Sequence, residues 1–134
     1  MGILEDAGIQ VNELSPLPLA FVGDGVFDLL VRKYLITKGN CPVKKLHSRA
    51  VEMVNCAAQA KYLHEILMPK LTEAEKEICR RGRNAHVNHI PKNASIEDYH
   101  SATALECLFG YLYLKGDNER VDELFQIIIG DSEQ

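Results

Sequence analysis

The sequence predicts a single all-α domain. Two stretches, residues 17 to 36 and 101 to 115, are apolar nearly all round, which is typical of helices at the centre of a protein. The segments around them carry helix caps, and no run alternates between apolar and polar residues as a half-buried strand would. With 134 residues, of which 46% are apolar, the chain is long enough to bury one core. We expect about six helices, a core from about residue 15 to 130, and short flexible termini.

The first apolar helix has clear boundaries. Ser15 is a suitable N-cap, Pro16 suits the first helical position, and Gly39 predicts the end after Ile36. Further along, Pro42 predicts a short helix that runs through Arg49, and a second helix follows to about Met68.

The remaining helices are marked by their caps. Thr72 with Glu75 forms a predicted capping box, and residues 82 to 93 read as a polar, basic loop. Ser95 with Asp98 predicts a second capping box before the other apolar helix. Gly116 ends that helix, and Asp117 caps a last amphipathic helix whose inner face carries Val121, Leu124, Phe125 and Ile128.

Composition excludes several classes of protein. No apolar stretch approaches the roughly 20 residues that span a bilayer, and the acidic start is unlike a secretory signal, so we expect a cytoplasmic protein. The four cysteines contain no C-x-x-C pair, which argues against a zinc ribbon or a redox motif.

Basic residues are clustered although the net charge is −4. Residues 38 to 51 and 78 to 93 contain no acid, and each window contains histidine. Such clusters can form a positive surface on an acidic protein, but two solvated loops would look the same. The basic residues of the two windows are Lys38, Lys44, Lys45, Arg49, Arg80, Arg81, Arg83 and Lys92.

Each apolar helix carries an isolated acid at its middle. Asp24 lies between Gly23 and Gly25, and Glu106 lies one turn before Gly110. Small residues let helices approach closely, so the two carboxylates could face each other across a helix crossing. Facing carboxylates repel unless a cation binds between them or one takes up a proton, and hard cations such as Mg²⁺ prefer oxygen ligands. The apolar residues from Leu17 to Ile36 indicate that the first of these helices is central and buried.

Two interpretations of Asp24 stay open from the residues alone. The first is that Asp24 is a metal ligand. The second is that Asp24 has a structural role, either as a helix N-cap with the helix starting at Gly25 or as a buried acid held by hydrogen bonds. Asp28 has Arg32 one turn on as a local partner, whereas Asp24 has none.

Two quoted segments carry a resemblance. "LAFVGDGVFDLLV" and "TALECLFGYLYL" resemble the signature helices of the ribonuclease III endonuclease-domain family. "LHSRAVEMVNCAAQA", "RRGRNA" and "PKN" extend the resemblance from about residue 17 to 129, and it is closest to the short bacterial branch, Mini-ribonuclease III. That branch lacks the double-stranded-RNA-binding domain, and with few residues after Ile129 we expect none in this chain. The full-length enzyme has acids where this chain has Ala20 and Thr103, which puts a four-carboxylate site in doubt.

The resemblance implies a function. Asp24 and Glu106 would be catalytic and would hold Mg²⁺, with Mn²⁺ as a substitute, for hydrolysis of double-stranded RNA to 5′-phosphate and 3′-hydroxyl ends. The branch matures 23S ribosomal RNA precursor and works as a homodimer, to which the first apolar helix would contribute; a ribosomal-protein helper also belongs to this expectation. The rival hypotheses are a non-catalytic RNA-binding module on the same fold and a helical protein-interaction domain.

Candidate RNA-binding residues come from the basic windows, since double-stranded RNA is bound through phosphates and 2′-hydroxyls. His86 and His89 lie in the loop and are expected to be structural or RNA-facing rather than zinc ligands. His47 and Gln59 match family positions, although packing or local hydrogen bonds explain them equally well. The candidates for RNA binding are Arg80, Arg81, Arg83, Asn84 and Lys92, with Lys44, Lys45 and Arg49 as weaker ones.

Overall fold

The structure is a computed structural model, and it describes residues 2–86 and 89–132. These residues form seven α-helices and no strand, which confirms the predicted all-α fold. A 3₁₀ turn at Val11–Glu13 precedes the second helix, and α4 continues through a π-helical stretch, Tyr62–Leu67, into a 3₁₀ turn at Met68–Lys70. The helices are α1 Ile3–Asp6, α2 Pro16–Ile36, α3 Val43–Val54, α4 Cys56–Lys61, α5 Glu73–Arg83, α6 Ile96–Lys115 and α7 Asn118–Ser132.

The two apolar helices of the sequence, α2 and α6, pack against each other at the centre of the molecule. Phe27 of α2 places its ring centroid 5.3 Å from that of Phe109 on α6 and 5.8 Å from that of Phe125 on α7. All three rings are buried, so burial of aromatic surface joins the three helices. The four residues predicted for the inner face of α7 are all buried.

Two glycines set the distance between α2 and α6. A Cβ atom added to Gly23 would lie 1.7 Å from the backbone oxygen of Glu106, and one added to Gly110 would lie 2.0 Å from that of Leu19. No side chain fits in either place, because real atoms do not approach so closely. The predicted close approach of the two helices is therefore confirmed, and it depends on glycine at both positions.

Most of the helix caps that the sequence predicts are present in the structure. Thr72 and Glu75 form the full capping box, and Gly116 adopts the left-handed conformation, φ 89°, that ends α6. Asp117 accepts a hydrogen bond from the backbone N–H of Arg120 at the start of α7. Ser95 accepts from the backbone N–H of Asp98, which is one half of the predicted box.

The structure corrects one helix boundary. The helix that begins after Pro42 continues to Val54 and does not end at Arg49. Asn55 separates it from α4, because its side chain accepts a hydrogen bond from the backbone N–H of Ala58 at 2.8 Å and so begins a new helix.

A buried ion pair, which the sequence did not indicate, ties α7 to α5. Arg120 donates to both carboxylate oxygens of Glu75 at 2.7 Å and to the backbone oxygen of Lys70 at 2.9 Å. Glu75 is therefore part of the capping box and of the contact between helices.

Within the described part of the chain, no helix is long and apolar enough to cross a membrane.

Candidate active site

The helix crossing brings Asp24 and Glu106 together. Gly23 of α2 lies directly against the backbone of Glu106, so the residue after it is held beside that position on α6. The two carboxyl groups lie close enough for Asp24 to raise the pKa of Glu106 through its charge and through hydrogen bonding. Two acids that lie more than 80 residues apart in the chain thus form one pair on the protein surface.

The two acids differ in their exposure. Glu106 is half-buried, whereas Asp24 is exposed, so the interpretation of Asp24 as a buried acid is wrong. The reason is that Asp24, Asp28 and Arg32 recur every four residues and share one side of α2, and this side is turned outward. There Asp28 and Arg32 form an ion pair at 3.0 Å. The N-cap interpretation is also wrong, because α2 begins at Pro16 and continues through Asp24 without a break.

The surroundings of Glu106 favour its neutral form. Burial raises its pKa to about 8, and the negative charge and hydrogen bond of Asp24 add to the rise, while a hydrogen bond from Gln59 opposes it. Burial and the charge of Asp24 therefore both favour a proton on Glu106 over a second negative charge beside Asp24.

A divalent cation fits this pair. The hard oxygen ligands are present, and a cation would take the place of the shared proton and remove the repulsion between the carboxylates. The hydroxyl of Thr103 is directed elsewhere, since it donates to the backbone oxygen of Tyr99 at 3.0 Å, and Ala20 is buried and apolar. Among the described residues, no group of three or more histidine, cysteine or acidic side chains could hold a metal.

The raised pKa of Glu106 has a consequence for stability. In the unfolded chain a glutamate titrates near 4.3, so between about pH 4.3 and pH 8 the folded protein binds more protons than the unfolded one. Its free energy of unfolding should fall as the pH rises through this range. We expect the Tm of the protein in EDTA, relative to that of Glu106→Gln, to decrease from pH 5 to pH 8.5. Parallel curves for the two proteins would contradict the raised pKa.

The candidate RNA-binding residues of α5 have different surroundings. Arg80 forms two hydrogen bonds to Glu77, at 2.8 and 2.6 Å, on the surface of the same helix. Arg83 donates to the hydroxyl of Ser101 on α6 at 2.9 Å, and His64 lies 2.7 Å from the same hydroxyl. Arg83 is thereby fixed against the helix that carries Glu106, whereas the charge of Arg80 is already paired.

The other candidates are spread over the surface. Lys92 and Asn84 are exposed and flank the loop between α5 and α6, and Arg81 is half-buried. Lys44 and Lys45 are exposed on α3. Arg49 lies in the same helix and donates to the sulfur of Cys41 at 3.4 Å.

The loop between α5 and α6 also carries His86 and His89. Both are exposed, and residues 87 and 88 between them lie outside the described part of the chain. Neither histidine belongs to a candidate metal site among the described residues.

Comparison with known proteins defines the class. Residues 17–117 match the model of the ribonuclease III domain. This region contains both carboxylates and the whole of the α2–α6 crossing. The chain therefore belongs to the ribonuclease III family, a family of endoribonucleases.

Its relatives indicate the branch of the family to which the chain belongs. The chain is 46% identical over 125 residues to Mini-ribonuclease 3 of Brevibacillus brevis, covering 90% of this chain and 92% of that protein. It is 41% identical over 133 residues to Mini-ribonuclease 3 of Thermoanaerobacter sp., covering 96% and 93%. A crystal structure of a protein from Fusobacterium nucleatum superimposes with a TM-score of 0.80 at 30% identity, covering 88% and 95% of the two chains. Within the family the chain groups with the Mini-ribonuclease 3 enzymes, and it is an endoribonuclease.

Proposed function

We propose that this endoribonuclease cleaves double-stranded RNA with a divalent metal ion held by Asp24 and Glu106. The observation that carries the proposal is the meeting of these two carboxylates at the α2–α6 crossing. Membership of the family supports the RNA substrate and the use of a divalent metal. Mg²⁺ is the expected ion, and Mn²⁺, which also prefers oxygen ligands, is expected to replace it.

The residues of the pair would act on a scissile phosphate. When bound, the ion would supply activation of water and stabilisation of the charge that develops on the phosphate and the leaving oxygen. Asp24 is exposed and Glu106 is half-buried, so Asp24 would be the more accessible of the two carboxylates and Glu106 would hold the ion from α6. Hydrolysis that releases the 3′ oxygen leaves 5′-phosphate and 3′-hydroxyl ends.

RNA binding is assigned to the candidate residues of the two acid-free windows. Arg83 is the strongest of them, because Ser101 on α6 fixes its guanidinium on the helix that carries Glu106. Arg80 would have to give up its bonds to Glu77, so its share should be smaller. Arg81, Asn84, Lys92, Lys44, Lys45 and Arg49 complete the proposed surface.

The natural substrate stays a prediction from the family resemblance. We propose 23S ribosomal RNA precursor, presented with the aid of a ribosomal-protein helper in the cytoplasm. The absence of a separate RNA-binding domain in the resembled branch is consistent with a substrate whose shape another protein helps to present.

The test of the proposed function is cleavage of a long RNA duplex with and without Mg²⁺. We expect cleavage that requires the metal and is weak on single-stranded RNA. Duplex binding at low salt without cleavage in either Mg²⁺ or Mn²⁺ would favour the non-catalytic RNA-binding module. Failure to bind RNA at all would favour the protein-interaction domain.

A homodimer is the second part of the proposal. The outward face of α2 exposes large apolar side chains, including Phe21 at 82% and Leu29 at 60%. Beside them lies a groove of about 510 Å³ between α2 and the ends of α6 and α7, lined in part by Gly25, Leu29 and Val121. A second copy of the chain, related by a twofold axis, would bury this face and place its own Phe21 in the groove.

Phe21→Glu is expected to convert the dimer to a monomer, because burying a carboxylate in a groove lined mainly by apolar side chains is costly. The mass by light scattering after gel filtration should fall from twice 15.0 kDa to 15.0 kDa. Ile96→Glu is the matched control, since Ile96 is also exposed, at 62%, but lies at the start of α6. A wild-type protein of 15.0 kDa in solution would contradict the dimer.

A further inference from the structure

The acid pair has a third neighbour that the proposed chemistry leaves unused. Gln59 of α4 is 3% exposed, and its side chain lies close enough to the carboxyl group of Glu106 to lower the pKa of that group by hydrogen bonding. Helix α4, which carries Gln59, packs against α6, which carries Glu106.

The orientation of the Gln59 amide is determined by a backbone group. Its nitrogen Nε2 donates to the carbonyl oxygen of Val54 at 2.7 Å. If the amide turned over, Oε1 would face that carbonyl oxygen, and two acceptors repel. A primary amide nitrogen carries two N–H groups, so the second one is free to donate to the carboxyl group of Glu106.

The oxygen atom of the Gln59 amide shows that this arrangement lowers the stability of the fold. Oε1 of Gln59 is buried and has no hydrogen-bond partner among the described residues. A buried acceptor without a partner destabilises a fold, and an apolar side chain of similar size would fill the same space without that penalty. Packing alone therefore does not account for a glutamine here, whereas an N–H directed at Glu106 does.

We propose that Gln59 is a positioning residue that holds the carboxylate of Glu106 in its metal-binding orientation. The inference rests on the proposed function, because it requires that Glu106 binds the metal. Partners of metal ligands act in this way in other proteins: they fix the ligand's orientation, and their loss weakens metal affinity 10- to 100-fold.

The experiment compares Mn²⁺ binding by wild type and Gln59→Met in the absence of RNA, followed through the electron paramagnetic resonance signal of free Mn²⁺. Methionine keeps the length of the side chain and removes the donor. We expect the dissociation constant for Mn²⁺ to rise about 10-fold or more while the Tm in EDTA stays close to that of wild type. Cleavage should recover at high Mn²⁺, with the KM for RNA unchanged. Gln126→Met is the matched control, because Gln126 is an exposed glutamine on α7.

The alternative role for Gln59 is to join α3 to α4 through its bond to Val54. That role predicts a lower Tm with unchanged Mn²⁺ affinity, and this result would overturn the proposal. Gln59→Leu provides a second variant if Gln59→Met does not fold. Asp24→Asn distinguishes failure of the proposed metal site from failure of the proposed role of Gln59. If Asp24→Asn binds Mn²⁺ as tightly as wild type does, the proposed metal site is wrong. If only the Gln59 variants keep the wild-type affinity, the positioning role alone is overturned.

Discussion

Asp24→Asn is expected to lower the rate of duplex RNA cleavage by about 1,000-fold. A bound metal contributes several kcal/mol of transition-state stabilisation, and each 1.4 kcal/mol corresponds to a tenfold change in rate. Asparagine has the same shape as aspartate but no charge, so one of the two carboxylates of the site is lost. Glu106→Gln should have an effect of similar size for the same reason.

The fold should survive both changes. Asp24 is exposed, and removing its charge relieves the repulsion on Glu106, so the Tm of Asp24→Asn in EDTA should equal or exceed that of wild type. Asp28→Asn is the matched control: it lies one turn further along α2 and pairs with Arg32 on the surface. Cleavage by Asp28→Asn should stay within a few-fold of wild type. Undiminished cleavage by Asp24→Asn would show that the reaction takes place elsewhere.

Gly23→Ala is expected to destabilise the protein by about 3 kcal/mol, or about 10 °C in Tm. The added methyl group would lie 1.7 Å from the backbone oxygen of Glu106 and 2.9 Å from the backbone nitrogen of Gly110. Both neighbours are backbone atoms of a packed helix, so the clash is relieved only when α2 and α6 move apart. That movement also separates Asp24 from Glu106, and cleavage should fall together with stability.

Gly130→Ala is the control for this prediction. Gly130 is also a helical glycine, but a Cβ atom there meets nothing within 4 Å. Since alanine favours a helix by about 1 kcal/mol over glycine, this variant should be as stable as wild type or slightly more so. Equal thermal stability of Gly23→Ala and wild type, measured by circular dichroism, would show that the crossing tolerates a wider separation.

The sequence predicts the helices well because their signals are local. Thr72 with Glu75 and Gly116 satisfy the backbone groups of nearby residues, and such bonds form in the same way whatever else the chain does. The predicted end of the third helix at Arg49 is wrong. The N-cap at Asn55 is the local signal that begins α4, and α3 extends to the residue before it.

The sequence also predicts the pairing of Asp24 with Glu106, since each is an isolated acid in an apolar helix with glycine beside it. It does not predict how exposed each acid is. The two helices are apolar nearly all round, so the pattern does not show which side of α2 faces α6.

Gln59 is the clearest case of a role that the sequence leaves undecided. Between alanines it reads as a residue for packing or a local hydrogen bond, and its bond to Val54 is such a bond. Its contact with Glu106 joins residues on different helices, which only the packing of α4 on α6 brings together.

The sequence by itself thus determined the all-α fold, most helix ends and the two acids of the candidate site. The tertiary structure alone decided that Asp24 is exposed, that Glu106 is half-buried with a pKa of about 8, and that Gln59 contacts it. The physical reason is that helix formation depends on neighbours along the chain. The exposure and ionisation of a carboxyl group depend on which other helices surround it.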